Sequence, residues 1–318
     1  MKKSILMLPA MILFGAAAAF AQEPGVPLES ILDNTTKQSE NYRETFKNLL
    51  ADEFKIFEEF DKNNNSEKKT SVKSSFLVYQ SGKKATSTAE LRNVLEVNGK
   101  PVPDSQKRGE EFLAELDKQT TLESELKKLQ KESSKFDKTW EVYGLTLNQA
   151  VTLNPALRAA FDYRFLGTEN FNGNEVYVVG YQQKAKSPRV VVNEKSTLGP
   201  DEFSVNFSID VPGELKNTNL FLRGKLWIDA KTFQIWREER DLIARPDDPV
   251  LLLSNVFEYQ TSNFGILVPK TIKMTMFNAK KEKGTNKFSS LRNFMMNFDY
   301  TNFRQTNVEV KILDDETE

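Results

Sequence analysis

Acidic side chains crowd one stretch of this chain. Residues 220–243, "LFLRGKLWIDAKTFQIWREERDLI", carry Asp229, Glu238, Glu239 and Asp241 among Arg223, Lys225, Arg237 and Arg240. Two carboxyls held a fixed distance apart in a cleft would make an acid–base pair of the glycosidase type. The local pattern argues against that chemistry. Leu220, Leu222, Leu226 and Ile228 recur on the way in, and Ile235, Trp236 and Ile243 on the way out. The stretch therefore reads as two strands around a polar turn, Asp229-Ala230-Lys231-Thr232. Neighbouring residues on a strand face opposite sides, so Glu238 and Glu239 cannot cooperate. The stronger expectation is cross-strand ion pairing on a wet face.

Other chemistries find little support. Asp61, Asn63, Asn65 and Glu67 match the early ligands of a calcium loop, but Ser66 stands where glycine is wanted and Val72 where the bidentate glutamate is required. A solvated loop is expected there. The chain contains no histidine and no cysteine. That removes the Ser-His-Asp triad, the thiolate nucleophile, histidine zinc sites and the histidine pH switch. Glycine-rich phosphate loops and basic–aromatic nucleic-acid stripes are absent. No catalytic residue, metal ligand or cofactor is assigned, and the chain is read as non-enzymatic.

The chain begins Met1-Lys2-Lys3, continues with an apolar run from Ile5 to Phe20 and closes on Ala19-Phe20-Ala21. This is the pattern of a cleavable secretory leader spanning residues 1–21. An exported chain without cysteine gains no disulfide, so burial must carry its stability. Gln22 would be the first mature residue, which excludes a cysteine-linked lipid anchor. A periplasmic location is expected, with outright secretion as the alternative. The formal net charge of −1 gives no reason to expect nucleic acid as a partner.

Several elements can be placed. Leu28, Ile31, Leu32, Tyr42, Phe46, Leu49, Leu50, Phe57 and Phe60 recur at helical steps from Pro27 to about Asp61. A hairpin follows, Val72–Gln80 returning as Ala89–Val97 and ended by Asn98-Gly99. Asp104 is placed to cap a charged helix running to about Lys138, with a narrow apolar stripe. Residues 145–160 read as a short apolar helical turn interrupted by Pro155. From Phe161 strands follow one another with polar turns, which implies an antiparallel meander. Its segments are Phe161–Phe165, Val176–Tyr181, Phe203–Ile209, Leu251–Tyr259, Ile266–Phe277, Phe288–Phe303 and Val308–Leu313. A boundary, if there is one, falls near Trp140.

Two late strands supply the candidate binding residues. Val268, Ile272, Met274 and Met276 on one, and Phe294, Met296, Phe298 and Tyr300 on the other, make a wide apolar face. Methionine is flexible and polarizable, which suits ligands of varied shape. The same face is also what covering helices would turn into ordinary core. The two readings are compatible if the helices leave a gap or form a movable lid.

With "GKLWIDAKTFQIWREE" (Gly224 to Glu239) and "YQTSNFGILVPKTIKM" (Tyr259 to Met274), the last half of the chain resembles the bacterial lipoprotein-sorting superfamily. That group includes a periplasmic lipoprotein carrier, an outer-membrane lipoprotein receptor and an envelope-stress sensor. The resemblance implies an α+β fold, a large curved antiparallel sheet (an unclosed β-barrel) with helices from the N-terminal half packed on its concave face. It implies a single domain over residues 22–318, with helices and hairpin at 22–140 and the main sheet at 141–318. It also implies a non-enzymatic carrier or binding protein for a lipid or lipidated protein. The alternative is an envelope protein-interaction or stress-sensing module with a filled core, meeting its partner through the charged helix.

Overall fold

The computed structural model describes residues 25–45, 49–80, 88–117, 146, 149–192, 205–207, 209, 211, 213–215 and 218–305. The expected leader, the second half of the 104–138 helix, the boundary near Trp140 and the strand Val308–Leu313 lie outside these residues.

One antiparallel sheet of eleven strands organises the chain, in the order β4-β3-β2-β1-β13-β12-β11-β10-β9-β6-β5. The strands are β1 (Leu49–Phe60), β2 (Ser66–Gln80), β3 (Thr88–Val97), β4 (Lys100–Pro101), β5 (Phe161–Phe171), β6 (Asn174–Gln183), β9 (Leu220–Asp229), β10 (Ile235–Ala244), β11 (Val250–Thr261), β12 (Leu267–Lys281) and β13 (Phe288–Gln305). β4 and β5 stand at opposite edges, so the sheet is not closed into a barrel. The expected α+β architecture is the one found. Helix α1 (Leu28–Thr45) presents Leu28, Ile31, Leu32, Thr35 and Tyr42 along one stripe. Ile31, Leu32 and Tyr42 enter the same core cluster as the inward side chains of β11, β12 and β13. Helix α2 (Ser105–Asp117) lies beside β3 near the β4 edge, where Asn93 Nδ2 donates to the Ser105 carbonyl at 2.9 Å.

The turns explain the register. Asn98-Gly99 and Asn172-Gly173 join their strands as two-residue loops, with φ of 50° and 72° and of 51° and 86°. Both central residues at positive φ define the primed turn that matches strand twist, and Asn-Gly supplies it at least cost. At the longer β9–β10 turn the Asp229 carboxylate accepts from the Lys231 and Thr232 amides at 2.9 and 2.8 Å and from Trp236 Nε1 at 3.1 Å. Asp61 does comparable work between β1 and β2, accepting from the Asn63 and Asn65 amides at 2.8 Å. The calcium-like run is a capped hairpin turn.

Two expectations are corrected. The helical pattern ends at Thr45, and Leu49, Leu50, Phe57 and Phe60 belong to β1. In β1 the positions Leu49, Ala51, Glu53, Lys55 and Phe57 are buried and their neighbours are not. Two inward charges hide the period-two signal, and the remaining apolar residues mimic helical spacing. The all-antiparallel meander also fails locally. Among the described residues of the segment Phe203–Ile209, β8 (Val205–Phe207) is strand, and it pairs in parallel with β7 (Val190–Val192) in a separate two-stranded sheet.

Candidate functional site: an apolar trough between buried ion pairs

Residues on neighbouring strands form transverse rows across the inward face. One row runs Lys55, Phe298, Ile272, Phe257, Glu238, Leu226 and Val179. The next runs Phe57, Met296, Met274, Asn255, Arg240 and Gly224, and a third brings Glu59, Phe294, Met276 and Leu253 together. The floor of β11, β12 and β13 is therefore apolar apart from Asn255, with charged residues on both flanks. Lys55 and Glu238 stand four strand spacings apart, about 19 Å on a flat sheet.

The structure brings the sequence-expected lining residues together. Ile272, Met276, Phe294, Met296 and Phe298 are buried in adjoining rows, and Met274 among them is half-buried. Tyr300 sits one step further along β13, opposite Glu53. Val268 lies beyond a bulge at Glu258/Tyr259 and is buried in the same core cluster. Phe57 stacks on Phe294 with ring centroids 6.2 Å apart, and Phe298 stacks on Tyr300 at 6.4 Å.

The inward placement of the flanking charges went unrecognised in the sequence. Glu53, Lys55, Glu90, Arg92, Glu238 and Arg240 are all buried. Arg92 Nε donates to both Glu53 oxygens at 2.9 and 3.0 Å, and its Nη2 reaches Glu90 at 3.2 Å. Lys55 Nζ lies 3.8 Å from Glu53, over the Phe57 ring. Across the trough, Arg240 Nε and Nη2 meet Glu238 Oε1 at 2.9 and 2.8 Å, over the Phe257 ring. Each pair is spaced Glu-x-Lys or Glu-x-Arg, the spacing that puts two strand residues on one face. That spacing was the available signal, though Arg237-x-Glu239 shows it on the wet side as well. There the expected ion pairing is present, with Arg237 bonded to Glu239 at 2.8 Å and to Glu258, and Arg223 paired with Asp241 at 3.7 Å. Glu238 and Arg240 are the correction. They face inward, because bonds inside the hollow replace the water they lose.

A strap crosses the trough. The segment 146–153, of which residues 147 and 148 are outside the described set, is held at one end by Glu90. Its Oε1 accepts from Thr146 N at 3.0 Å and from Thr146 Oγ1 at 2.5 Å. At the other end Glu238 Oε2 accepts from Ala150 N at 2.8 Å. Ala150 adopts the left-handed conformation, φ 41°, and opens a 3-10 turn, Val151–Leu153. Six strand spacings separate β3 from β10, about 29 Å if flat, whereas four residues reach about 14 Å. Side chains standing perpendicular to a flat sheet could not close that difference, so the sheet curves around the strap. Helix α1 is tied to it as well. Tyr42 Oη donates to the Thr146 carbonyl at 2.6 Å, and the ring meets Tyr259 edge-on at 5.7 Å. At the other end of α1, Arg158 bonds Asp33 at 2.5 Å and Glu29 at 2.6 Å.

Burial favours the protonated form of the tyrosines around the trough. Burial first, then the neighbouring Tyr259 and Glu90, push Tyr42 well above its ordinary value. Burial and the Glu238 charge do the same at Tyr259 and Tyr181, and burial with Glu53 at Tyr300. Among the described residues no cluster of three acidic side chains is arranged to hold a metal ion, and no helix is long and apolar enough to cross a membrane. The arrangement offers apolar contact area bounded by hydrogen-bonding groups.

No family model matches the sequence, and no curated protein matches it. Among solved structures the chain is similar to a putative outer membrane lipoprotein-sorting protein domain from Vibrio parahaemolyticus, at 10% identity and a TM-score of 0.40, covering 88% of this chain and 93% of that one. It is similar to a DUF1329 family protein from Desulfovibrio piger, at 13% identity and a TM-score of 0.39, covering 91% and 95%. A LolA superfamily protein from Nitrosomonas europaea is similar at 10% identity and a TM-score of 0.31, covering 89% and 94%.

Proposed function

We propose that the protein is a non-enzymatic binding protein or carrier for a lipid or acyl-bearing hydrophobic ligand, exported to the periplasm by residues 1–21. One observation carries the reading. Among the described residues the methionine- and phenylalanine-floored trough shares its core with helix α1, the strap and Val190 of the small β7–β8 sheet, and Met274 at its centre is half-exposed. An acyl chain taking the place of those elements would bury apolar surface at about 0.8 kcal/mol per methylene.

The test is mass spectrometry of an organic extract from gently purified protein, joined to titration with the neutral probe N-phenylnaphthylamine. Stoichiometric lipid in the extract, or saturable probe fluorescence that Met274→Trp weakens, is the expected result. A lipid-free extract together with no probe uptake sinks the reading. A second reading, an envelope protein-interaction or stress-sensing module, is favoured by the burial of most of the trough floor. It predicts one stoichiometric protein captured from envelope extract, without lipid.

A further inference from the structure

The β10 corner of the trough holds a polar atom for which the fold provides no partner. Asn255 is buried on β11, between Arg240 and Met274 in its row, and its Oδ1 has no hydrogen-bond partner. An orphaned buried acceptor destabilises a fold, so its retention needs an explanation. Next to Asn255, diagonally on β10, Glu238 presents Oε2 to the Ala150 amide at 2.8 Å while Oε1 neutralises Arg240. Where a ligand takes the place of the Ala150 amide, the corner offers two acceptors, Asn255 Oδ1 and Glu238 Oε2, beside a cation already paired with Glu238.

We propose that Glu238, Arg240 and Asn255 form a polar subsite of the trough, selecting acyl ligands whose head group is uncharged and donates a hydrogen bond. A hydroxyl or a primary amide meets that description. In the closed protein the Ala150 N–H fills the place of the donor on Glu238. An ester offers no donor. A carboxylate or phosphate would meet Glu238 Oε2 as a like charge, with Arg240 already paired. The inference rests on the trough being a ligand site, and it names the ligand's chemical class.

Displacement of bound N-phenylnaphthylamine tests it, using a monoacylglycerol, a fatty amide, a fatty-acid methyl ester and a fatty-acid anion of one chain length. The monoacylglycerol and the amide should displace at about 10-fold lower concentration than the ester and the anion. Asn255→Leu should shrink that ratio several-fold while the thermal midpoint holds or rises, because the change removes an unsatisfied buried atom. Glu238→Gln should shift preference toward the anion, since Arg240 loses its counter-charge. Equal displacement by all four compounds, or a preference that Asn255→Leu leaves intact, overturns the subsite while the trough stands as a binding site. Absence of probe binding by the folded wild-type chain removes the trough reading first, and the subsite with it.

Discussion

Glu238 shows why single residues decide this fold. It accepts from Arg240 on β10 and from the Ala150 amide, so one carboxylate joins sheet to strap. Replacing it by leucine strands a buried guanidinium, and the expected loss is about 3–5 kcal/mol in urea unfolding. The double variant Glu238→Leu/Arg240→Met should recover most of that loss, because a matched apolar pair leaves no buried charge. Asp229 makes a separate, pH-dependent contribution. Burial raises its pKa, but the bonds from Trp236, Thr232 and Lys231 outweigh burial and hold it below the ordinary carboxylate value. Its stabilisation is therefore complete above the unfolded-state pKa and lost as pH falls through the lowered folded value. Asp229→Asn should flatten that part of the acid unfolding curve. These roles were hard to read in advance. Glu238 looked like one of several wet-face acids, because a strand's parity says that 238 and 239 differ without saying which is inside.

At the scale of elements, legibility tracked how cleanly a segment alternates. β13 announced itself through Phe294, Met296, Phe298 and Tyr300, and β12 through Ile272, Met274 and Met276. β1 did not, since Glu53 and Lys55 occupy its inward positions. The helical turn after the strap was legible in residues 145–160, but the strap's anchoring was not, because Thr146 and Ala150 are held largely through backbone amides that carry no side-chain signature. Its hold on α1 is testable. Tyr42→Phe removes the bond to the Thr146 carbonyl and should cost about 1–2 kcal/mol, with hydrogen exchange rising first in α1. β9 and β10 approach closely at Gly224, where Tyr181 Oη donates to the Glu239 carbonyl at 3.0 Å. A Cβ at Gly224 would lie 1.9 Å from that carbonyl oxygen and 2.5 Å from the hydroxyl. Gly224→Ala should destabilise by about 1–3 kcal/mol through overpacking, measured by thermal unfolding.

Over the whole molecule, the sheet and its row of methionines were foreseeable from a run of strands with short polar turns, and its curvature was an expectation from the resemblance alone. The order of strands was not. Nothing local tells β1 that its neighbour is β13, because inter-strand pairing is decided by packing at a distance. Only the coordinates show a hollow bordered by charge on two sides, which needs strands far apart in sequence to converge.

That same seam, β1 against β13, sets a condition on biogenesis. Asp52 bonds Asn302 at 2.7 Å and Arg304 at 3.0 Å, across some 250 residues of chain. The middle of the sheet is thus stitched by the first and last of its described strands, and β1 has no mate on that side until β13 has been made. An incomplete polypeptide would display two naked strand borders, one on β1 and one on β12, both flanked by greasy side chains. Nascent chains of this protein should therefore depend on a holding chaperone until β13 arrives.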